Sequence, residues 1–264
     1  RIQRYSRASR WNAKNKKPAK LCAELGFDGI DINMGCPDKT IEKQGAGAAC
    51  MKNPARAKEI IRAAKEGAGD LPVSVKTRIG YNPPSPKSFG GASKNDHLLD
   101  EQWIRNVLEE DIAALTVHLR TRKEMSDVPA HWELMKRIIE IRDVMGKDTL
   151  ILGNGDALSI ADAREKVAAT GCDGVMLGRA IFGNPWLFGG SRSDLDDRLR
   201  VMVEHTKLFE SLLGHAKNFS VMKKHYKAYV NGFDGAKELR MELMEANNAG
   251  EVERIVMEFL EKRA

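Results

Sequence analysis

The sequence predicts an α/β fold of the (β/α)8 TIM-barrel type, lacking about three N-terminal βα units, followed by an all-α C-terminal domain. Three observations carry this reading. Short apolar segments recur at a spacing of roughly 25–45 residues, the pitch of a βα unit. Helical patterns separate them. Beyond about residue 193 helical patterns follow one another with no strand between.

Residues 1–17 read as a basic tail. Of the 43 basic residues in the 264-residue chain, eight lie in residues 1–20 with no acid, and the other 35 face 37 acids. Such a tail either grips nucleic acid or is a solvated extension. Residues 18–190 form the partial barrel. Its strands fall at 29–34, 73–79, 114–119, 149–152 and 174–177, each too short for a helix and rich in Val, Ile, Leu or Thr, as suits strands covered on both faces. Helices are expected at 18–25, closed by Gly26, from Pro54 to Ala64 behind an Asn53 cap, and at 98–110, 132–144 and 159–169. The Pro- and Gly-rich stretch 81–95 follows a strand, where a barrel enzyme places a lid or substrate loop. Residues 191–264 form the helical domain, with helices at 195–213, 220–230, 235–246 and 251–262. Five strands fit either an open sheet or a barrel short of three units, and periodicity leaves a doubly wound sheet open.

No apolar run approaches the roughly 20 residues of a membrane span, and the four scattered cysteines form no CxxC pair. The expectation is a cytoplasmic protein with no membrane and no metal, monomeric. HExxH, GxGxxG and P-loop motifs are missing. Polar residues cluster instead at predicted strand ends. Cys36 follows the first, in DINMGCP, where its thiol suits a general acid or a nucleophile; the bland alternative is a small buried hydrophobe. Cys22, Cys50 and Cys172 read as packing. Lys76 and Arg78 alternate in VSVKTRIG, and His118 and Arg120 in TVHLRT. Cations inside a buried strand imply a polar ligand or a structural ion pair. The last two strands end in Gly153-Asn154-Gly155-Asp156 and Gly178-Arg179, turns that let backbone amides approach a phosphate.

In this order, DINMGCP with GAGAA after it, VKTRIG, TVHLRT, GNGD, MLGRAIFGNPWLF (176–188), MKKHYKAY (222–229) and LRMELM (239–244) resemble the tRNA-dihydrouridine synthases, from about residue 18 to the end. The resemblance implies an FMN-containing barrel, a helical domain and tRNA as partner, with uridine reduced at its C5=C6 bond and NADPH as electron source. It implies hydride from FMN to C6 and a proton from Cys36 to C5. Lys76 and His118 would contact the flavin, Asn154, Gly155, Asp156, Gly178 and Arg179 its ribityl phosphate, and Asn33 and Arg78 the uracil. Lys223, Lys224, Lys227 and Arg240 would grip RNA phosphates, the alternative being a solvated helix face. The family's first three βα units, with their Pro-Met turn and a glutamine on the third strand, have no counterpart here. Leu119 stands where a small residue is expected and would crowd the flavin. Two other readings compete: a flavin-barrel reductase of a free pyrimidine or dihydroorotate, and a remnant that binds RNA without flavin.

Overall fold

In the computed structural model, which describes residues 2–5, 16–82, 98–189 and 194–263, apolar β-branched segments form one parallel sheet. Its strands are β1 (Ile2–Tyr5), β2 (Gly29–Asn33), β3 (Val73–Gly80), β4 (Ala114–Thr121), β5 (Leu150–Asn154) and β6 (Gly174–Met176). They are hydrogen-bonded in chain order, each to the next, and all neighbours are parallel. A doubly wound sheet reverses its strand order at a switch point; this order runs one way throughout. The sixth strand corrects the sequence reading. Ile2–Tyr5, inside the basic N-terminal segment, pairs with Gly29–Ile32.

Helices fill the connections: α1 (Lys17–Glu24), α2 (Lys39–Lys43), α3 (Pro54–Ala68), α4 (Glu101–Leu108), α5 (Met135–Val144) and α6 (Ile160–Thr170). Side-chain caps set their starts. Asn53 Oδ1 accepts from Arg56 N at 3.1 Å ahead of Pro54, and Asp100 Oδ1 from Trp103 N at 2.9 Å. Ser159 Oγ accepts from Asp162 N at 3.0 Å. Each oxygen satisfies an amide with no intrahelical partner. The predicted loop at 81–95 lies, beyond Asn82, outside the described residues.

The pleat divides the sheet chemically. Ile30, Ile32, Val73, Val75, Ile79, Leu115, Val117, Leu119 and Ile151 belong to one buried core with Ile60, Ile61, Trp103, Ile104 and Ile138 of the helices. Trp103 Nε1 donates to Thr77 Oγ1 at 2.9 Å, so the one hydroxyl on this face of β3 is paired. Leu119 is fully buried here, one residue out of phase with His118 and therefore on the opposite face of the strand. The expectation that it crowds a ligand beside His118 is corrected.

Two compact units make up the chain, Arg1–Leu177 and Gly178–Ala264, a division earlier than the 190/191 boundary read from sequence rhythm. In the second unit lie α7 (Leu195–Leu213), α8 (Ser220–Tyr229), α9 (Ala236–Glu245) and α10 (Ala249–Glu261). Buried stripes at helical spacing, Leu199–Met202–Val203–Thr206 on α7 and Val252–Ile255–Val256 on α10, supply its core with Met222, Tyr226, Leu239 and Leu243. Among the described residues no helix is long and apolar enough to cross a membrane.

Gly153 on β5 passes directly under an aromatic ring: a Cβ there would lie 2.4 Å from Trp132. Gly153→Ala is expected to lower stability by about 1–3 kcal/mol through overpacking, read as a shifted urea midpoint; an unchanged midpoint would show that the ring does not press on the strand.

Candidate active site on the polar face of the sheet

Register places the predicted residues together. Asn33, Lys76 and Thr116 stand opposite one another on β2, β3 and β4, and one row further on Arg78, His118, Asn154 and Met176 do the same on β3 to β6. In-register residues of parallel strands point to the same side. These rows therefore lie on the face opposite the apolar core, at the C-terminal end of the sheet, where parallel α/β folds build their sites.

Cys36 follows β2 in a tight turn. Asn33 Oδ1 accepts from Gly35 N and Cys36 N, both at 3.1 Å. A Cβ on Gly35 would stand 3.1 Å from the Thr77 backbone, a tight fit, and Gly47, at φ +59°, is held more strictly, a Cβ there lying 2.6 Å from the Cys36 carbonyl oxygen. Ala48 N donates to Cys36 O at 2.9 Å. Cys36 is half-buried, whereas Cys22, Cys50 and Cys172 are buried; burial pushes the Cys50 thiol up to about 11. All four are free thiols.

Arg78 is buried and acts as a clamp. Nε donates to Gly35 O at 3.0 Å, and Nη1 to Thr121 O at 3.0 Å and Met125 O at 2.9 Å. Burial and then the charge of Arg120 bring its pKa down to about 10, with the Cys36 sulfur working the other way. Arg78 thus ties the turn carrying Cys36 to the end of β4. Asn33 and Arg78, expected to hold a substrate, both have donors or acceptors committed to the turn itself.

His118 lies beside Lys76, Arg78 and Arg120. Burial first, then these three cations, depress its pKa to about 3, Asp156 opposing. Its Nε2 is 3.0 Å from Arg120 Nη1. Arg120, which the sequence reading noticed but left without a role, also donates through Nε to Val128 O at 2.6 Å and pairs through Nη2 with Asp156. Asp156, at φ +51°, also accepts from Ala130 N at 2.9 Å, and Trp132 Nε1 donates to Gly155 O at 2.9 Å. Gly155 is at φ +129°, and a Cβ there would come within 2.7 Å of Ala130. Asn154 Nδ2 donates to Met176 O at 2.8 Å, linking β5 to β6. Asp156 therefore faces Arg120, a role distinct from the predicted phosphate contact.

Arg122 continues the alternation of His118 and Arg120 and was missed. It pairs with Glu42 of α2 and donates to Pro37 O at 3.2 Å, holding the same turn from its other side. Against the upward push of burial, hydrogen bonds from Arg122 and Tyr81 keep the Glu42 carboxyl below its usual range.

The predicted Gly178–Arg179 turn belongs to the second unit. There, Lys223, Lys224, Lys227, Lys237 and Arg240 line a groove of about 840 Å³ with Tyr226, Met241, Met244 and two glutamates, Glu242 and Glu245. Lys223 Nζ donates to Met244 O at 2.6 Å and Arg240 Nη1 to Val230 O at 2.7 Å, so these two expected RNA contacts also close the helical unit on itself. Among the described residues no group of three or more His, Cys, Asp or Glu is arranged to hold a metal ion.

A family model described as dihydrouridine synthase matches residues 8–264, beginning within the segment set apart as a tail. A protein of Bacillus subtilis named probable tRNA-dihydrouridine synthase 2 is 40% identical over 263 residues, covering 96% of this chain and 75% of its own length. Proteins named probable tRNA-dihydrouridine synthase from Staphylococcus epidermidis and Staphylococcus aureus are 40% and 41% identical over 242 and 244 residues, covering 90% of this chain and 69% of their own.

The depressed pKa of His118 makes a pH prediction. Between pH 6.5 and about 3 the unfolded ring takes up a proton that the folded ring refuses, so stability falls as pH drops through that window. Wild type is expected to lose up to about 1.4 kcal/mol more per pH unit than His118→Gln in denaturant titrations. Parallel losses in the two proteins would refute it.

Proposed function

The chain belongs to the dihydrouridine synthase family, and from that premise we propose that it reduces uridine in tRNA to 5,6-dihydrouridine, with FMN as cofactor and NADPH as electron source. The observation that supports this most strongly is the meeting of a half-buried thiol, Lys76, Arg78 and His118 at the C-terminal ends of three adjacent strands.

The residues suit the cofactor. Lys76, Arg78 and Arg120 act together on the ring of His118 at the C-terminal end of the polar face, with Asp156 opposing, and such a cluster of cations fits an electron-rich ring system bearing a phosphate. Lys76 and His118 would hold the ring, and Asn154 and Gly155, in the glycine turn after β5, the phosphate. The chemistry that FMN would supply when held there is hydride transfer to C6 of the base. Cys36 Sγ would give its proton to C5. The thiolate so formed would feel the positive charge of the Arg78 guanidinium, whose side chain the Cys36 sulfur already influences. Because Cys36 is only half-buried, the sulfur would then recover a proton from water. Asn33 keeps the thiol in place through the Cys36 amide. In this reading the described strands are part of a barrel, and the base reaches its mouth only when turned out of the RNA stack. The helical unit grips the RNA phosphates, Lys224 and Lys227 carrying the larger share because Lys223 and Arg240 also hold backbone carbonyls.

Purified protein supplied with FMN, NADPH and unmodified tRNA is expected to form dihydrouridine, and Cys36→Ala to lose at least about 100-fold in rate, the low end for a lost general acid, while still binding FMN. Undiminished Cys36→Ala activity, or reduction of free uracil as fast as tRNA, would refute the assignment. Lys224→Ala and Lys227→Ala should each lower the slope of log affinity for tRNA against log salt by about one; slopes equal to wild type would take these lysines off the RNA.

A further inference from the structure

One guanidinium joins the imidazole row to the glycine turn after β5. Arg120 is buried on the polar face of the sheet, and three of its nitrogens have partners on three different segments: Val128 O in the loop after β4, His118 Nε2 on its own strand, and the Asp156 carboxylate after β5. An arginine side chain has N–H donors and no acceptor. Its 3.0 Å contact with His118 therefore has a single polarity: Nη1 donates and Nε2 accepts. A ring nitrogen that accepts carries no proton, so the neutral imidazole must carry its proton on Nδ1.

We propose that Arg120 is a positioning residue that holds His118 as the Nδ1–H tautomer and, through Asp156, locks that imidazole to the GNGD turn. Two further observations support the coupling. A Cβ on Gly155 would lie 3.3 Å from His118 Cδ2 and 3.4 Å from Arg120 Nη1, so the turn rests on the pair. Asp156 sits at φ +51°, a left-handed conformation that a non-glycine residue keeps only when its surroundings impose it; Arg120 and the Ala130 amide both hold its carboxylate. The charged groups that act on the ring are Lys76 and Arg78 on β3, Arg120 on β4 and Asp156 after β5; three of the four are cations, and all three resist protonation of the imidazole. The result is a neutral N–H donor whose strength does not vary with pH in the working range. It offers a hydrogen bond to an electron-rich ring atom without adding a charge. That use rests on the proposed function, whereas the tautomer and its cause do not.

The experiment is nitrogen-detected NMR of the histidine rings in protein without added cofactor, the His118 signals assigned by their loss in His118→Gln. Wild type is expected to show the Nδ1–H tautomer and no protonation of His118 from about pH 8 down to about pH 5. In Arg120→Met the titration of the ring should move up by about one to three units, the effect of removing one adjacent cation, and both tautomers should appear. An Nε2–H ring in wild type overturns the proposal, with or without a folded variant. So does a folded Arg120→Met whose His118 keeps its single tautomer and its titration. Loss of dihydrouridine formation bears on the function alone, since the ring measurement is made without cofactor or tRNA.

Discussion

A guanidinium on the face of a parallel sheet has no partner in the β-ladder, and burying its charge without acceptors costs several kcal/mol. Arg78 and Arg120 are both in that position. The chain meets the requirement by bringing loop carbonyls and one carboxylate to them: Gly35, Thr121 and Met125 to the first, Val128 and Asp156 to the second. The turns after β2, β4 and β5 thereby acquire fixed places relative to one another. A loop that solvates a buried cation is held by several directional contacts at once, and side chains carried on it, Cys36 foremost, inherit that placement.

The strands of the first unit were legible because each is a short, nearly continuous apolar run, and β2 to β6 appear close to their expected limits. Strand β1 was hidden for the opposite reason. Its sequence, IQRY, lies in a segment dense in Arg and Lys, and composition alone reads such a stretch as solvated. Periodicity also identified Lys76, Arg78 and His118 as one polar face, since a step of two along a strand returns to the same side. What it did not disclose is the direction in which each side chain is used. Asn33 and Arg78 face the right place yet hold the Cys36 turn, and Asp156 turns toward Arg120. Those roles depend on contacts between residues dozens of positions apart, for which a single sequence carries no signal. Arg122 was within reach, being the third residue of the alternation that begins at His118.

In the second unit the helices were read almost to the residue, because stripes such as Leu199–Met202–Val203–Thr206 recur at helical spacing. Charge was a weaker guide there. Lysines on one helix look alike in sequence, yet of those lining the groove Lys223 also caps the end of α9 through the Met244 carbonyl. A cation whose ammonium group already closes its own fold has less freedom to follow a phosphate backbone.

The uneven burial of the four cysteines has a practical corollary. A thiol-directed electrophile approaching from solvent meets one cysteine that is not buried, residue 36, while the remaining three thiols are shielded by packing. A fluorophore, spin label or crosslinker could accordingly be attached at one chosen place in the unmodified polypeptide, and the speed of that attachment would itself report how open the mouth of the sheet is to molecules of different size.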